Sequence, residues 1–243
     1  MNSVVAVSEQ NQTLKNFRAS TPPSPPILSF MQFRTLLFDL DGTLIDHFAA
    51  IHRCYAHTLP QLGLPRPTLA QVRDAVGGGL ENALLKFIRP DQVPAAVKIY
   101  RAYWDRTMLD DVAALPGALE LLRHLHTRGL TVAIFTNKHA PSSRLIANHL
   151  GFTPFIANNF GAQDTPWLKP DLAFTAHVLT TLHADAATTL LIGDSPFDVQ
   201  AAINAGFPCW AVTTGTHQAA ELQAAGATRV FANLTEIQAA LSG

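Results

Sequence analysis

The sequence predicts an α/β fold: a doubly wound parallel sheet with an inserted α-helical cap domain. Three observations predict it. From residue 33 onward, short apolar runs alternate with segments of helical period, the pattern of strands joined by helical crossovers. One stretch, residues 47–114, breaks that alternation with helix-like segments and no strand pattern. Clusters of polar residues stand directly after apolar runs, where a parallel sheet opens its ligand crevice.

In chain order, residues 1–30 include TPPSPPILSF, rich in proline and serine, without a helical or strand period and without signal-peptide features. They are expected to form a flexible tail, with Met31 as an alternative start. Residues 34–38 read as the first buried strand. Helix-like segments follow at 49–61, 69–76, 81–87 and 93–109, with Gly77, Gly78 and Gly79 between the second and third. The chain leaves this insert before Leu115-Pro116-Gly117. Beyond it, strands are predicted at 130–135, 189–193 and 209–212, with weaker ones at 155–157 and 229–231. Helices are predicted at 117–127, 141–150, 171–182 and 197–205. The expected organisation is a core of residues 31–46 and 115–243 around a helical cap at 47–114.

Composition removes several function classes. A chain of 243 residues, 48% hydrophobic and 14% charged, buries a large core. Its formal charge of -1 provides no polybasic surface, which argues against nucleic acid and anionic membranes as partners. No run approaches the roughly 18 apolar residues of a membrane span. Cys54 and Cys209 lack paired or metal-type spacing, so reduced thiols and a cytoplasmic location are expected. His124 and His126, two apart on a predicted helix, point to different faces and make a poor zinc pair.

The stretch LLFDLDGTLID at residues 36–46 runs an apolar strand into Asp39 and then Asp41. Burying an unpaired carboxylate costs several kcal/mol, so two acids there need a cation or other partner. Three more segments carry chemistry to the same sheet edge. AIFTNK brings Thr136, Asn137 and Lys138, WLKPD brings Lys169, and LLIGDSPFD brings Asp194 and Asp198.

DLDGT, TN, the KP lysine and GDSPFD, in this order, resemble the four motifs of the haloacid dehalogenase (HAD) superfamily in its Mg²⁺-dependent phosphotransferase form. The resemblance extends over about residues 33–235 and implies a Rossmann-like core. It implies Asp39 as the nucleophile that forms an aspartyl phosphate, and Asp41 as the general acid and base. It also implies Mg²⁺ held by the Asp39 side chain, the Asp41 backbone carbonyl and Asp194, with Asp198 completing the outer shell. Thr136, Asn137 and Lys169 would stabilise charge on the phosphoryl oxygens. Gly42 would permit the turn after Asp41, and Thr43 would fix it and stand among the substrate-binding residues. The family's dehalogenases lack an acid at the Asp41 position, so dehalogenation is not expected.

Within the superfamily, TNK, LPGALELLRHLHTRG at 115–129 and AGFPCWAVTTG at 205–215 resemble the phosphoglycolate phosphatase-like branch. That resemblance implies hydrolysis of a small phosphorylated metabolite, with Gly77, Gly78 and Gly79 approaching the substrate. A phosphomutase similar to β-phosphoglucomutase and a non-enzymatic binding domain are the alternatives. His47, Arg53 and Lys86 are further candidates on the insert, Arg53 and Lys86 reading more simply as surface charge.

Overall fold

A computed structural model describes residues 33–242; the tail expected at 1–30 lies outside the described residues. The elements run β1 (Thr35–Phe38), β2 (Ile45–Asp46), α1 (Phe48–Thr58), α2 (Leu69–Arg73), α3 (Leu80–Leu84), α4 (Val93–Thr107) and β3 (Ala113–Ala114). They continue with α5 (Ala118–Thr127), β4 (Thr131–His139), α6 (Ala140–His149), β5 (Asn158–Ala162), α7 (Leu172–Leu182) and β6 (Thr189–Gly193). The last are α8 (Pro196–Ala205), β7 (Cys209–Val212), α9 (Ala219–Ala224), β8 (Arg229–Phe231) and α10 (Leu234–Ser242).

Six strands form one parallel sheet in the order β5-β4-β1-β6-β7-β8. β1 is central because all four of its residues are apolar or β-branched and buried, so it packs on both faces. Leu36 and Phe38 join one apolar cluster, and Leu37 joins the other, as the two-residue period of a strand requires. On the first face lie Leu121, Leu122 and Leu125 of α5, with Ile237 and Leu241 of α10. On the second lie Phe174 and Val178 of α7, with Val199 and Ala202 of α8. Each fully buried side chain of this size contributes about 1.5–3 kcal/mol of transfer free energy.

The helical insert shares the first cluster, through Ile51, Tyr55, Tyr100 and Trp104. Its two connections to the sheet pair antiparallel, Ile45 with Ala114 and Asp46 with Ala113. Thus β3 falls inside the stretch that carried no strand pattern. Two residues are too few to show a period. The insert's helices are also shorter than predicted, α2 ending at Arg73 and α3 at Leu84.

The predicted strand at 155–157 is corrected. Thr153–Phe155 forms a 3₁₀ turn with Pro154 as its second residue, and the strand is Asn158–Ala162. Its sequence, NNFGA, hid it, because the buried Asn159 carries no apolar signal and is held instead by the Ser143 hydroxyl, which donates to its Oδ1 at 2.7 Å. Among the described residues, no helix is long and apolar enough to cross a membrane.

Candidate active site

The carboxyl ends of β1, β4 and β6 meet beneath the helical insert. β1 ends at Phe38, which puts Asp39 at the rim, 8% exposed. Gly42 has φ +82, and a Cβ there would lie 2.6 Å from an Asp194 carboxylate oxygen. Only glycine fits this turn, which returns the chain against Asp194. Thr43 is fully buried and donates to Asp194 Oδ1 at 3.3 Å. It stands behind the acid and does not line the cavity.

β4 continues to His139, so Thr136, Asn137 and Lys138 belong to the strand's end and not to a turn after it. Its pairing with β5 is irregular between Phe135 and His139, which turns these side chains toward the rim. The Asn137 amide donates to the Lys169 carbonyl and accepts from the Lys169 backbone N–H, at 3.0 and 2.7 Å. A second donor of the same amide reaches the Gly77 carbonyl at 3.0 Å. Asn137 therefore ties the lysine loop to β4 and to the insert.

Lys169 is 4% exposed and uses all three ammonium donors, on Asp39 Oδ1 (2.7 Å), Asp198 Oδ1 (2.6 Å) and the Phe135 carbonyl (2.7 Å). Burial would lower its proton affinity, but Asp198 and Asp39 raise it beyond the ordinary range. Asp198, fully buried, accepts from the Ser195 hydroxyl and backbone N–H at 2.6 and 3.1 Å through its other oxygen. This bond is also the capping box that starts α8, with Pro196 in the first turn.

Burial pushes Asp39 up to about 6, with Lys169 opposing the rise. Burial, then proximity to Asp39 and Asp198, raises Asp194 well above the usual carboxylate range. Asp41 behaves differently. Burial would raise it too, but Lys138, donating to both carboxylate oxygens at 2.9 Å, and His47 hold it well below its ordinary value.

His47 is buried, bonded through Nε2 to the Met108 carbonyl at 2.6 Å, with Nδ1 3.7 Å from Asp41. Burial first, then Lys138, lowers its proton affinity. The bond to Met108 makes Nε2 the donor and joins the entry and exit of the insert.

Asp39, Asp194 and Asp198 place carboxylate oxygens within 4.8 Å of one another. With Asp41 there are four carboxylates, facing two ammonium groups, Lys138 and Lys169. That surplus of negative charge and all-oxygen donor set fit a hard divalent cation such as Mg²⁺. Asp39 and Asp194 have oxygens to offer it. Asp198 has both of its oxygens engaged by Lys169 and Ser195, so it would act by holding Lys169 and the turn.

A cavity of about 300 Å³ opens above these groups, lined by Asp39, Asp41, Thr136, Asn137 and Lys138 from the sheet and by Tyr55, Arg101 and Trp104 from the insert. Gly77 and Gly79 line it, whereas a Cβ on Gly78 would meet the Phe197 ring at 3.1 Å and faces away. Two expected candidates on the insert are used elsewhere: Arg53 pairs with Asp111 and donates to the Thr107 carbonyl, and Lys86 donates to the Asp74 carbonyl. Lys138, Arg101 and Trp104 went unassigned as site residues in the sequence. Lys138 was visible as part of TNK, but nothing local marked the other two.

Fold and rim together define a hydrolase class. Residues 36–212 match the haloacid dehalogenase-like hydrolase family, and the chain belongs to it, in the phosphoglycolate phosphatase-like branch. It is 32% identical over 188 residues to a phosphoglycolate phosphatase of Caulobacter vibrioides, covering 74% of this chain and 79% of that protein. It is 31% identical over 215 residues to a 5'-nucleotidase of Pseudomonas aeruginosa, covering 87% and 96%. A haloacid dehalogenase-like hydrolase structure from Streptococcus pneumoniae superposes with TM-score 0.79 at 26% identity, covering 86% of this chain and 98% of that one.

Proposed function

We infer that the protein is a Mg²⁺-dependent phosphatase that hydrolyses a small phosphate monoester of the phosphoglycolate type through an aspartyl phosphate on Asp39. The observation that carries this reading is the arrangement at the cavity floor. Lys169 grips only Oδ1 of Asp39 among its carboxylate oxygens, leaving Oδ2 to meet phosphorus, and Asp41 stands two residues on at the cavity wall. The names of the relatives support the substrate class.

In the first step Asp39 bonds to phosphorus and the leaving oxygen departs with a proton from Asp41. In the second, Asp41 takes a proton from water, whose oxygen attacks phosphorus, and Asp39 is released as a carboxylate with inorganic phosphate. Thr136 accepts from the Lys138 backbone N–H at 3.2 Å, which leaves its own hydroxyl proton to donate to a phosphoryl oxygen. Lys169 holds Asp39 in place and offers positive charge to the phosphoryl group. Mg²⁺, when held by Asp39 and Asp194, would neutralise phosphoryl charge and so reduce anion repulsion. For Asp41 to carry a proton, Lys138 must loosen its hold, and the incoming substrate anion is the natural competitor for that ammonium.

The test is phosphate release from a panel of phosphorylated metabolites with Mg²⁺ and with EDTA. Mg²⁺-dependent release from 2-phosphoglycolate or another compact ester is expected. Preference for a phosphopeptide, or isomerisation of β-glucose 1-phosphate without phosphate release, would contradict the reading.

A further inference from the structure

Arg101 is a charge in the cavity wall with nothing to hold. It stands on α4, half-buried, and among the described residues it makes no hydrogen bond or ion pair. Burial lowers its proton affinity, and Glu81 and Asp105 act on it electrostatically without bonding. Neighbouring cations are committed: Arg73 donates to the Gly215 carbonyl at 2.7 Å, and Lys138 holds Asp41. A half-buried guanidinium with five unused donors is poised for a carboxylate or phosphate.

Its position sets the geometry of the ligand. Arg101 and Trp104 are three apart on α4, hence on one face and about 4.5 Å apart along the axis. The Trp104 ring covers Lys138 Nζ at 4.6 Å, and Lys138 binds Asp41. The wall therefore runs from Asp41 through Lys138 and Trp104 to Arg101, away from the phosphoryl end. Tyr100 stacks on Trp104 at 5.7 Å, and Phe48 and Tyr55 also line this part. His139 and Gln163 line the cavity from the sheet side, and the charge of Arg101 reaches His139. A cavity of about 300 Å³ is at the lower end of those that enclose a whole small molecule, and exceeds the space that a phosphoryl group needs.

We propose that Arg101 binds a second anionic group of the substrate, a carboxylate or phosphate separated from the scissile phosphate by an apolar or ring-bearing spacer lying against Trp104. The proposal rests on the phosphatase reading above and narrows its substrate class. Glu81 lines the same cavity, so the second charge has to sit at the guanidinium and not be spread along the ligand.

The experiment compares wild type, Arg101→Met and Arg101→Lys on p-nitrophenyl phosphate, 2-phosphoglycolate, 3-phosphoglycerate and fructose 1,6-bisphosphate. Arg101→Met should raise KM for an ester with a distal anion by on the order of 10- to 100-fold, as expected for one charged hydrogen-bonding partner. It should leave kcat within about threefold and p-nitrophenyl phosphate within about twofold, and Arg101→Lys should restore part of the loss. Equal losses on both substrate classes, or no loss on either, would overturn the site. The same esters are titrated calorimetrically into Asp39→Asn with and without Arg101→Met. Arg101-dependent binding by a chain whose wild type hydrolyses none of the esters would overturn the phosphatase reading and keep the anion site. Hydrolysis of every ester without Arg101 dependence would do the reverse.

Discussion

Lys169 and Asp198 are bound to each other so closely that neither can be removed alone at small cost. Asp198 is fully buried, and the ammonium is its charge partner at 2.6 Å. Lys169→Met should abolish turnover and destabilise the fold by about 3–5 kcal/mol, the cost of stranding a buried charge; chemical denaturation measures it. A stability loss below about 1 kcal/mol would show that Asp198 finds another partner. Asp41 is a different case, since its partner Lys138 also lies over Trp104. Asp41→Asn should fold normally and lower kcat by on the order of 10²- to 10⁴-fold, and unchanged kcat would remove it from proton transfer. That Asp39, Asp41, Asp194 and Lys169 would meet at one rim was legible because each closes a strand or opens a loop in a fixed order. Arg101 and Trp104 were not, because their meaning depends on where α4 comes to rest over the sheet.

The three glycines between α2 and α3 show how one loop divides its duties. Gly79 has φ +88, and a Cβ there would come 2.9 Å from Leu168, the residue before Lys169. Gly79→Ala is thus strained in the insert and crowded against the lysine loop. It should raise KM several-fold while leaving Mg²⁺ dependence intact, and steady-state kinetics with a Mg²⁺ titration will check both. A change in the Mg²⁺ requirement with KM unchanged would contradict this. Gly78→Val should act through Phe197, and its effect on substrate ranking should be smaller than that of Gly79→Ala. Longer elements such as β1, β6 and α5 were legible from their apolar period, whereas β2, β3 and β5 were not. The first two have only two residues each, and β5 opens with two asparagines, of which the buried Asn159 accepts from Ser143 of α6.

Across the whole molecule, the surplus of buried acid links stability to pH and to metal. Asp39 titrates near 6 when folded against about 3.8 otherwise, and Asp194 is raised as well. Between those values the folded chain holds protons that the unfolded chain has released, so this contribution is complete at the acid end and is lost as pH rises through the folded value. Asp41 acts oppositely, its contribution vanishing as pH falls below the ordinary carboxylate range. The metal-free protein should therefore lose stability from pH 5 to 8 at these groups. Mg²⁺, which needs ionised carboxylates, should raise Tm by several degrees at pH 8 and little at pH 5. An equal increase at both pH values would contradict the acid cluster as the binding site.

The most direct measurement of the central claim is rapid acid quenching during turnover of a ³²P-labelled phosphate ester, followed by peptide mapping. A Mg²⁺-dependent, hydroxylamine-labile label on the peptide containing Asp39, absent from Asp39→Asn, is the predicted result. Steady-state phosphate release by Asp39→Asn at the wild-type rate, with deamidation excluded, or a label on another residue, would contradict it.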